Sequence, residues 1–404
     1  MSKKEILPGI YWVGAIDWNV RNFHGHTYTT KRGTTYNAYL IVDEKVALVD
    51  TVLHSFSDEM IDRIKQVIPP EKIDYIIANH VEKDHSGALP EIIKYCPKAK
   101  VVGTAKCKDG LYKNYCGGAP VRWTGQDFRT VKTGDKISLG KRTLSFIEAP
   151  MLHWPDSMFT YIPEDALLIP NDAFGQHYAS GERFDDEVDE CGLMDEAAKY
   201  YANILWPLSS IVLKKIEDVQ KINLPIKIIA PSHGIIWRRD PMKIVNAYAG
   251  WAKNETKPKA VIVYETMWGA TEKMARKISE GMTDAGVSVK LYDVSQSDRT
   301  EIIGEMLDSR GFVLGSSTHG NGMLPSIYGF LEFLKGLKPK NRTGFAFGSY
   351  GWAGGAVRNI ENILREAGVE IGGTGLSVRY APDENEIKGC YEAGRTFAEK
   401  CKHI

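Results

Sequence analysis

Short apolar runs separated by polar turns characterise the first part of the chain. The segment YNAYLIVDEKVALVDT (36–51) has the pattern of two strands joined at the polar turn DEK. KISLGKRTLSFIEAP (136–150) has the pattern of a hairpin that turns at LGKR. Helical spacing occurs in FSDEMIDRIKQVI (56–68), where we expect Ser57 to be the N-cap and Pro69 to end the helix. The pattern predicts a β-rich domain with a few helices.

The pattern changes near WAKNETKPKA (251–260), a polar stretch without an apolar period. Beyond it, strand-like runs such as VEIGGTGLSVRY (369–380) alternate with helical segments such as TEKMARKISEGMTDAG (271–286). Strands that alternate with helices favour a parallel sheet covered on both faces. The sequence therefore predicts an α/β protein with two domains, residues 1–253 and residues 254–404.

Composition and charge narrow the class of protein. The 404 residues are enough for two cores, and a hydrophobic content of 43% with 25% charged residues is ordinary for a globular protein. Lys plus Arg and Asp plus Glu are balanced at 51 each, so no net field favours nucleic acid or an anionic membrane. The N-terminus MSKKEILPGI lacks the apolar core of a signal peptide, and we expect a cytoplasmic protein without membrane partners.

The cysteines restrict the kind of metal site. There are six of them, and no two form a C-x-x-C pair: Cys96, Cys107, Cys116, Cys191, Cys390 and Cys401. This spacing argues against a zinc ribbon, a rubredoxin-type iron site and a disulfide framework. A bound metal would therefore be held by histidine and carboxylate side chains.

Candidate ligands of that kind follow four apolar, strand-like runs. The stretch IIANHVEKDHSG (76–87) carries four of them within six positions, and single residues follow three later runs. The full set is His80, Glu82, Asp84, His85, His153, Asp172 and His233. A lone histidine after a strand is usually structural, but strands lying side by side would bring these seven side chains to one edge of a sheet. The sequence therefore predicts one metal site built from four strand ends.

The same stretch resembles a known family. Together with LHWPDS (152–157), NDAFGQH (171–177) and PSHG (231–234), it resembles the metallo-β-lactamase superfamily, and it is most similar to the flavodiiron branch. Zinc hydrolases of that superfamily carry His-x-His-x-Asp-His, whereas this chain has Glu82 at the second position. Mixed carboxylate and imidazole sets favour iron that cycles between its two oxidation states. A zinc hydrolase that tolerates one glutamate stays open as an alternative.

The resemblance also implies a role for each ligand. One iron would be held by His80, Glu82 and His153, and the second by Asp84 and His233, with Asp172 bridging the two. The position of His85 ligates iron in some members and is turned aside in others. The segment RNFHGHTYTTKRGTTYNAY (21–39) resembles the N-terminal loop of the family, which implies that His24 or His26 lines the catalytic pocket.

The second domain has the features of a flavin site. VIVYETMWGATEKMA (261–275) runs from a strand through a Thr- and Gly-containing turn into a helix, an arrangement that presents N–H groups and hydroxyls to a phosphate. It has neither the Gly-Lys-Ser/Thr of a nucleoside-triphosphate P-loop nor G-x-G-x-x-G. GSSTHGNG (315–322) and GSYGWAGGA (348–356) follow two later strands and bring Gly, hydroxyls and aromatic rings that suit an isoalloxazine.

The three turns resemble those of flavodoxin, in the same order, and imply FMN as cofactor. Many relatives carry proline at the position of Ser317. The predicted FMN-binding residues are Thr266, Met267, Trp268, Gly269, Ala270, Thr271, Ser317, Thr318, His319, Gly320, Asn321, Ser349, Tyr350, Gly351, Trp352, Ala353, Gly354 and Gly355.

The family resemblance extends over the whole chain and implies a fold and a function. The fold would be a metallo-β-lactamase-like αββα sandwich followed by a flavodoxin-like doubly wound domain. The function would be four-electron reduction of O2 to water at the two irons, with FMN as relay. Members of the family form a head-to-tail homodimer or a dimer of dimers, which places the FMN of one subunit against the diiron site of the other.

The expected electron donor is inferred from one sequence motif and from the length of the chain. The chain stops after one flavodoxin-sized domain, so we expect electrons from a separate donor. HGHTYTTKRGTTYNAYL is most similar to members from methanogenic archaea, which oxidise the reduced deazaflavin coenzyme F-420. Reduction of nitric oxide fed by a separate rubredoxin is the alternative within the family. Outside it, a zinc hydrolase with a flavodoxin passenger and a flavin- or metal-binding module without activity stay open.

Overall fold

The computed structural model describes residues 3–116 and 128–402, which form two compact units. The first unit consists of Met1–Ala197 with Ser210–Ala249, and the second of Ala198–Ser209 with Gly250–Ile404. The segment Ala198–Ser209 thus groups with the second unit, although the residues on both sides of it belong to the first. The domain boundary at residues 253 and 254 stays a prediction.

The first unit is built from short strands and seven helices among the described residues. In chain order they are β1 (Lys4–Leu7), β2 (Ile10–Trp12), β3 (Ala15–Asp17), β4 (Asn22–Phe23), β5 (Tyr28–Thr29), β6 (Thr34–Tyr36), β7 (Tyr39–Val42), β8 (Val46–Val49), α1 (Ser57–Lys65), β9 (Ile73–Ile77), α2 (Lys83–Ser86), α3 (Leu89–Tyr95), β10 (Lys100–Gly103), α4 (Ala105–Cys116), β11 (Phe128–Thr130), β12 (Lys136–Ser138), β13 (Thr143–Glu148), β14 (Met158–Ile162), β15 (Leu167–Ile169), α5 (Glu190–Tyr200), α6 (Ser209–Ile222), β16 (Ile228–Ile229) and α7 (Pro241–Ala252). The two hairpins expected from the sequence are β7–β8 and β12–β13.

Two sheets of this unit pack face to face. The first has the order β1-β2-β7-β8-β9-β10-β11 and becomes parallel from β8 onward, while the second has the order β12-β13-β14-β15-β16. Ile41 and Ile77 of the first sheet share one buried cluster with Phe146 and Ile162 of the second. Because side chains alternate along a strand, Leu40 of β7 and Leu48 of β8 are buried on the opposite face of the first sheet and are not part of this cluster.

The second unit is a doubly wound sheet. Its elements are β17 (Lys257–Glu265), α8 (Ala270–Asp284), β18 (Ser288–Asp293), α9 (Arg299–Met306), β19 (Ser309–His319), β20 (Gly322–Met323), α10 (Pro325–Leu337), β21 (Thr343–Tyr350), α11 (Ala356–Glu366), β22 (Glu370–Ile371), β23 (Leu376–Arg379) and α12 (Glu384–Lys402). The sheet order is β18-β17-β19-β21-β22, with β23 also beside β21, and all these pairs are parallel. Helices α8 and α12 cover one face through a cluster that includes Met274 and Phe397. This matches the predicted parallel sheet.

One local prediction was wrong, and a second segment, predicted to be strand-like, is divided into two strands. Ser57 is the first residue of α1 and not its N-cap, because a 3₁₀ turn at His54–Phe56 leads directly into the helix and the Ser57 hydroxyl donates to the His54 carbonyl at 2.6 Å. The segment 369–380 is two strands, β22 and β23. Both pair with β21, and between them Gly372 passes so close to β21 that an added Cβ would lie 2.4 Å from the Thr343 hydroxyl.

No helix among the described residues is long and apolar enough to cross a membrane.

Candidate functional site

The predicted metal ligands of the first unit lie where strands end. His80 follows β9, and β9 lies between β8 and β10 in the first sheet. His153 lies in the connection from β13 to β14, Asp172 follows β15, and His233 follows β16 in the second sheet. Glu82 directly precedes α2. The strand ends of both sheets therefore bring these side chains to one place, as the sequence predicted.

Four side chains form a first ligand group. The Nε2 atom of His80 lies 3.4 Å from Glu82 Oε2 and 3.7 Å from Asp172 Oδ2. The Nε2 atom of His153 lies 3.4 Å from the same Glu82 oxygen and 3.3 Å from the same Asp172 oxygen. These four atoms face one another closely enough to share a single metal ion.

A second ligand group lies beside the first. His233 Nε2 lies 3.0 Å from Asp84 Oδ2, and His85 Nε2 lies 3.2 Å from the same oxygen. His85 Nε2 also lies 3.0 Å from Asp172 Oδ1. The ring of His85 therefore points into the group together with Asp84 and His233. Asp172 takes part in both groups, with Oδ2 toward the first and Oδ1 toward the second.

Several of these buried polar atoms lack hydrogen-bond partners among the described residues. They are both carboxylate oxygens of Asp84, both ring nitrogens of His85 and Oδ2 of Asp172. Buried polar atoms are nearly always satisfied, and an unpaired buried charge costs several kcal/mol. Atoms that approach one another at about 3 Å without hydrogen-bond geometry are typical of a ligand set aimed at a shared cation. The residues therefore fit a pair of metal ions.

Further side chains orient the histidines. His80 turns its Nδ1 toward Asp156 at 3.1 Å, and the Val81 N–H donates to the same carboxylate at 2.7 Å. The Nδ1 of His233 donates to the Thr35 carbonyl at 2.7 Å. A hydrogen bond at one ring nitrogen fixes the tautomer and directs the other nitrogen at a metal. In both residues the nitrogen that is left is Nε2, the atom that faces the ligand group.

The electrostatics of the site favour positive charge at its centre. Burial alone would lower the pKa of His80, but its hydrogen bonds to Asp156 and Glu82 raise that pKa to about 10. Burial would likewise lower the pKa of His85, yet the charges of Asp172 and Asp84 raise it to about 9. Burial would raise the pKa of Asp172, but the neighbouring His85 holds it well below its usual range. Without metal the site therefore holds protons, which incoming cations must displace.

The two loop histidines differ in position. His24 lies at the solvent side of the first group, with Nε2 3.1 Å from Glu82 Oε1 and a third of its side chain exposed. Its ring contacts Phe23, and Phe23 contacts His233 edge-on. His26 is exposed and makes no hydrogen bond or ion pair within residues 3–116 and 128–402. The structure therefore brings His24 to the ligand cluster and leaves His26 outside it.

The predicted flavin turns meet at the C-terminal ends of β17, β19 and β21. The Thr271 hydroxyl is buried and lies 3.0 Å from the hydroxyls of both Ser317 and Ser349. The Thr318 hydroxyl accepts hydrogen bonds from the backbone N–H groups of Gly355 and Ala356 at 3.3 Å. One residue from each of the three turns thus contributes to a shared hydroxyl cluster.

This edge of the sheet fits a phosphate-bearing, flat cofactor. The N-cap of α8 is Gly269 at φ 81°, which carries no side chain to accept from the first-turn N–H groups, so those donors can receive a phosphate. Trp268 and Trp352 are 93% and 88% exposed, an unusual state for indoles that a planar ring system packed against them would end. The remaining predicted residues of the three turns lie in the same loops, and Thr318, Gly320, Asn321, Gly351, Trp352 and Ala353 line a small cavity.

Asp156 and Thr35 are among the supporting residues that were not predicted from the sequence. Asp156 stands three positions after His153 within LHWPDS, and an acidic residue so close to a predicted ligand is a signal that could have identified it. Thr35 accepts from His233 through its carbonyl, which any residue provides, and its hydroxyl accepts from the N–H of the neighbouring Gly234 at 2.6 Å. Both contacts join positions far apart in sequence, so no local pattern could have revealed them.

Comparison with known protein families divides the chain in the same way. Residues 34–234 match the ODP family beta lactamase model, and residues 262–394 match the flavodoxin model. The first match spans the seven candidate metal ligands, and the second spans the three flavin turns.

Individual relatives match almost the whole chain. A nitric oxide reductase from Moorella thermoacetica is 54% identical over 98% of both chains, and a reduced coenzyme F-420 oxidase from Methanothermobacter marburgensis is 44% identical over 99% of both. Among solved structures, the rubredoxin oxygen:oxidoreductase of Desulfovibrio gigas superposes with a TM-score of 0.94 at 38% identity over 98% of both chains. The flavodiiron protein of Giardia intestinalis gives the same TM-score at 35% identity, over 99% of this chain and 97% of that one. With this agreement in sequence, fold and site, the chain belongs to the flavodiiron protein family.

Proposed function

We propose that this protein reduces nitric oxide to nitrous oxide and water at the paired ligand groups, with electrons relayed through FMN. Asp172, whose two carboxylate oxygens each face a different ligand group, carries the paired metal site of this proposal, and the choice of nitric oxide as substrate rests on a relative. The 54% identity to a nitric oxide reductase over 98% of both chains supports this substrate. Two molecules of nitric oxide, two electrons and two protons balance to one nitrous oxide and one water.

As a flavodiiron protein, the chain is an oxidoreductase that carries a non-haem diiron site and FMN. The bound iron pair and the flavin supply the electron-transfer chemistry by which nitric oxide or O2 is reduced. We propose that His80, Glu82 and His153 hold one ion. We propose that Asp84, His85 and His233 hold the other, and that Asp172 bridges the two.

The same proposal assigns proton delivery to His24. Its ring lies between solvent and the Glu82 carboxylate, 3.1 Å from Oε1, and a third of the side chain is exposed. A histidine in this position can take a proton from water and pass it toward the buried ligand groups. His26 has no such contact and takes no part in the proposed pathway.

Oxidation of the reduced coenzyme F-420 by O2, with water as product, is the second candidate function. Its support is the 44% identity to a reduced coenzyme F-420 oxidase over 99% of both chains. Since the same ligand set would serve both gases, the two candidates differ mainly in donor and acceptor. O2, four electrons and four protons balance to two waters.

Turnover of the iron- and FMN-loaded protein, prepared with its reduced donors under anaerobic conditions before the gas is added, tests the proposal. Each donor, reduced rubredoxin or reduced coenzyme F-420, is combined with nitric oxide or O2, and gas consumption is followed with an electrode. We expect nitric oxide to be consumed with a higher kcat/KM than O2. Faster oxidation of coenzyme F-420 by O2 would favour the second candidate. Metal analysis that finds zinc without iron would contradict both candidate functions and would support a zinc hydrolase instead.

A further inference from the structure

Residues of the loops that supply two of the candidate ligands help to line an apolar cavity. Its volume is about 300 Å³, and all its lining residues belong to the first unit. Its floor is formed by Phe159 of β14 and Leu168 of β15, both almost fully buried. Its wall includes Val212 and Ile216 of α6. The cavity opens to solvent where Gln220, Asn223 and Met242 are exposed, and its volume exceeds the roughly 150 Å³ at which an apolar cavity binds xenon or benzene.

The cavity is tied to the metal-ligand loops by sequence and by a hydrogen bond. Leu152, which lines it, is bonded directly to His153. Phe174, which also lines it, stands two residues after Asp172, and its N–H donates to the hydroxyl of Tyr248, another lining residue, at 2.9 Å. The segments that carry His153 and Asp172 therefore also supply part of the cavity wall.

The polar groups of the cavity do not offer a site for a charged ligand. The Lys215 side chain lines the cavity, and its ammonium donates to the Glu148 carbonyl at 2.7 Å. Gln220 and Asn223 are exposed at the rim. Most of the other lining residues are aliphatic or aromatic, which favours an uncharged, apolar occupant.

We propose that this cavity binds the small apolar gas that the enzyme reduces and holds it next to the loops of His153 and Asp172. The inference rests on the proposed function, in which nitric oxide or O2 is the apolar reactant. Such molecules gain by leaving water for an apolar space, so the cavity raises their concentration near the buried ligand groups. Filling it would then impair capture of the gas and leave the reducing steps intact.

Xenon and a filled variant test this inference. Xenon is titrated into the wild-type holoenzyme under pressure and followed by ¹²⁹Xe NMR, and the same titration is made with Ile216→Trp. Leu213→Trp is the matched control, because Leu213 is half-buried on the same helix and does not line the cavity. Should Ile216→Trp fail to fold, Val219→Phe fills the same wall with a smaller change.

We expect saturable xenon binding in the wild type and in Leu213→Trp, its loss in Ile216→Trp, and a severalfold higher KM for the gas in Ile216→Trp with kcat unchanged. Absence of xenon binding in the wild type, or an unchanged KM in an active Ile216→Trp enzyme, would overturn the inference and leave the proposed function standing. A holoenzyme inactive toward both gases would overturn both. Mass spectrometry that finds a lipid retained by the wild type would also overturn it, because the cavity would then be a lipid site.

Discussion

Asp172 is the residue at which the two ligand groups meet. Its Oδ2 lies 3.3 Å from His153 Nε2, its Oδ1 lies 3.0 Å from His85 Nε2, and the Ser232 hydroxyl donates to Oδ1 at 2.8 Å. A carboxylate with each oxygen in a different metal site can bridge two ions, as in other diiron carboxylate proteins. The loss of one oxygen charge at this position should therefore affect both ions.

Replacing Asp172 by Asn should abolish iron binding and gas reduction while FMN remains bound. The amide keeps the size of the side chain but removes the negative charge that balances two cations in a buried site. Iron and FMN are counted on the purified variant by metal analysis and absorbance. The exposed Asp62→Asn is the control and should keep both cofactors. Two irons retained in Asp172→Asn would refute the bridging role.

Asp156 offers a second test, because it touches no candidate metal directly. It holds His80 through Nδ1, and partners of this kind typically change metal affinity by about 10- to 100-fold when they are lost. Asp156→Asn should lower iron affinity by that order, measured by competition with a chelator, whereas Asp156→Glu should recover part of it. Equal affinity in the wild type and in Asp156→Asn would show that His80 is oriented by its packing alone.

The pH dependence of the metal-free protein follows from the histidines. The pKa values of His80, His85 and His153 are raised to about 10, 9 and 9, above the ordinary 6.5. A histidine whose pKa is raised on folding stabilises the fold in its protonated form. This contribution is full below about pH 6.5 and is lost as the pH rises through the pKa of the folded state. Removing the metal should therefore give a protein whose Tm falls between pH 6.5 and 10.

Iron should remove this dependence, because the cations take the place of the protons. Thermal unfolding of the metal-free and the iron-loaded protein at matched pH values measures the difference. A metal-free Tm that stays constant or rises between pH 7 and 10 would contradict the protonated state that we infer for the empty ligand groups.

Individual residues were predictable from the sequence where the chemistry resides in the side chain. The seven metal-ligand candidates could be predicted because histidine and carboxylate residues followed apolar runs. The choice between His24 and His26 could not be made, because both stand in one loop and only its folded path brings His24 to Glu82. The orientation of His85 also required coordinates, since a ring can turn either way from the same backbone.

At the scale of elements, the ends of strands carry both sites. The ends of β9, β15 and β16 bring ligands together in the first unit, and the ends of β17, β19 and β21 bring three turns together in the second. In parallel sheets the carboxyl ends meet at one edge, so residues distant in sequence become neighbours there. Thr271, at the start of α8, links all three flavin turns through Ser317 and Ser349.

Thr271→Val should weaken FMN binding by about tenfold or more. The substitution keeps the shape of the side chain and removes one hydroxyl, and a hydrogen bond to a charged group contributes roughly 1.5–3 kcal/mol. The Kd is measured by fluorescence quenching as FMN binds to the stripped protein. Thr283→Val, in the last turn of the same helix, is the control, because its hydroxyl donates to the Ser279 carbonyl within the helix and contacts none of the three predicted flavin turns in the described part of the chain. Equal Kd values for the two variants would exclude Thr271 from the flavin site.

The elements were predictable where periodicity and turn residues agreed. The hairpins β7–β8 and β12–β13 and the alternation from β17 onward follow directly from apolar runs and polar turns. The split between β22 and β23 was not predictable, because both halves continue one β-like pattern. Where the strand is interrupted, Gly372 lies close to Thr343, a tertiary contact that the sequence pattern does not show.

At the scale of the whole molecule, the family assignment rests on two independent units. One matches a β-lactamase model and the other a flavodoxin model, and relatives align over nearly the full length. The resemblance of the sequence to the family implies a head-to-tail homodimer or a dimer of dimers, which stays a proposal. In that arrangement each diiron site would receive electrons from the flavin of another subunit.

Light scattering of the purified holoenzyme should therefore give two or four times the chain mass of 45.1 kDa. The measurement is repeated over a range of protein concentrations, since weak association would change the apparent mass. A stable mass of one chain, together with full activity, would contradict electron transfer between subunits.

The most direct test of the central claim is anomalous diffraction from crystals of the holoenzyme at the iron absorption edge. We predict two iron peaks. One lies among His80, Glu82 and His153, the other among Asp84, His85 and His233, and Asp172 stands between them. A single peak, or a signal at the zinc edge in place of iron, would contradict the assignment of a carboxylate-bridged diiron centre.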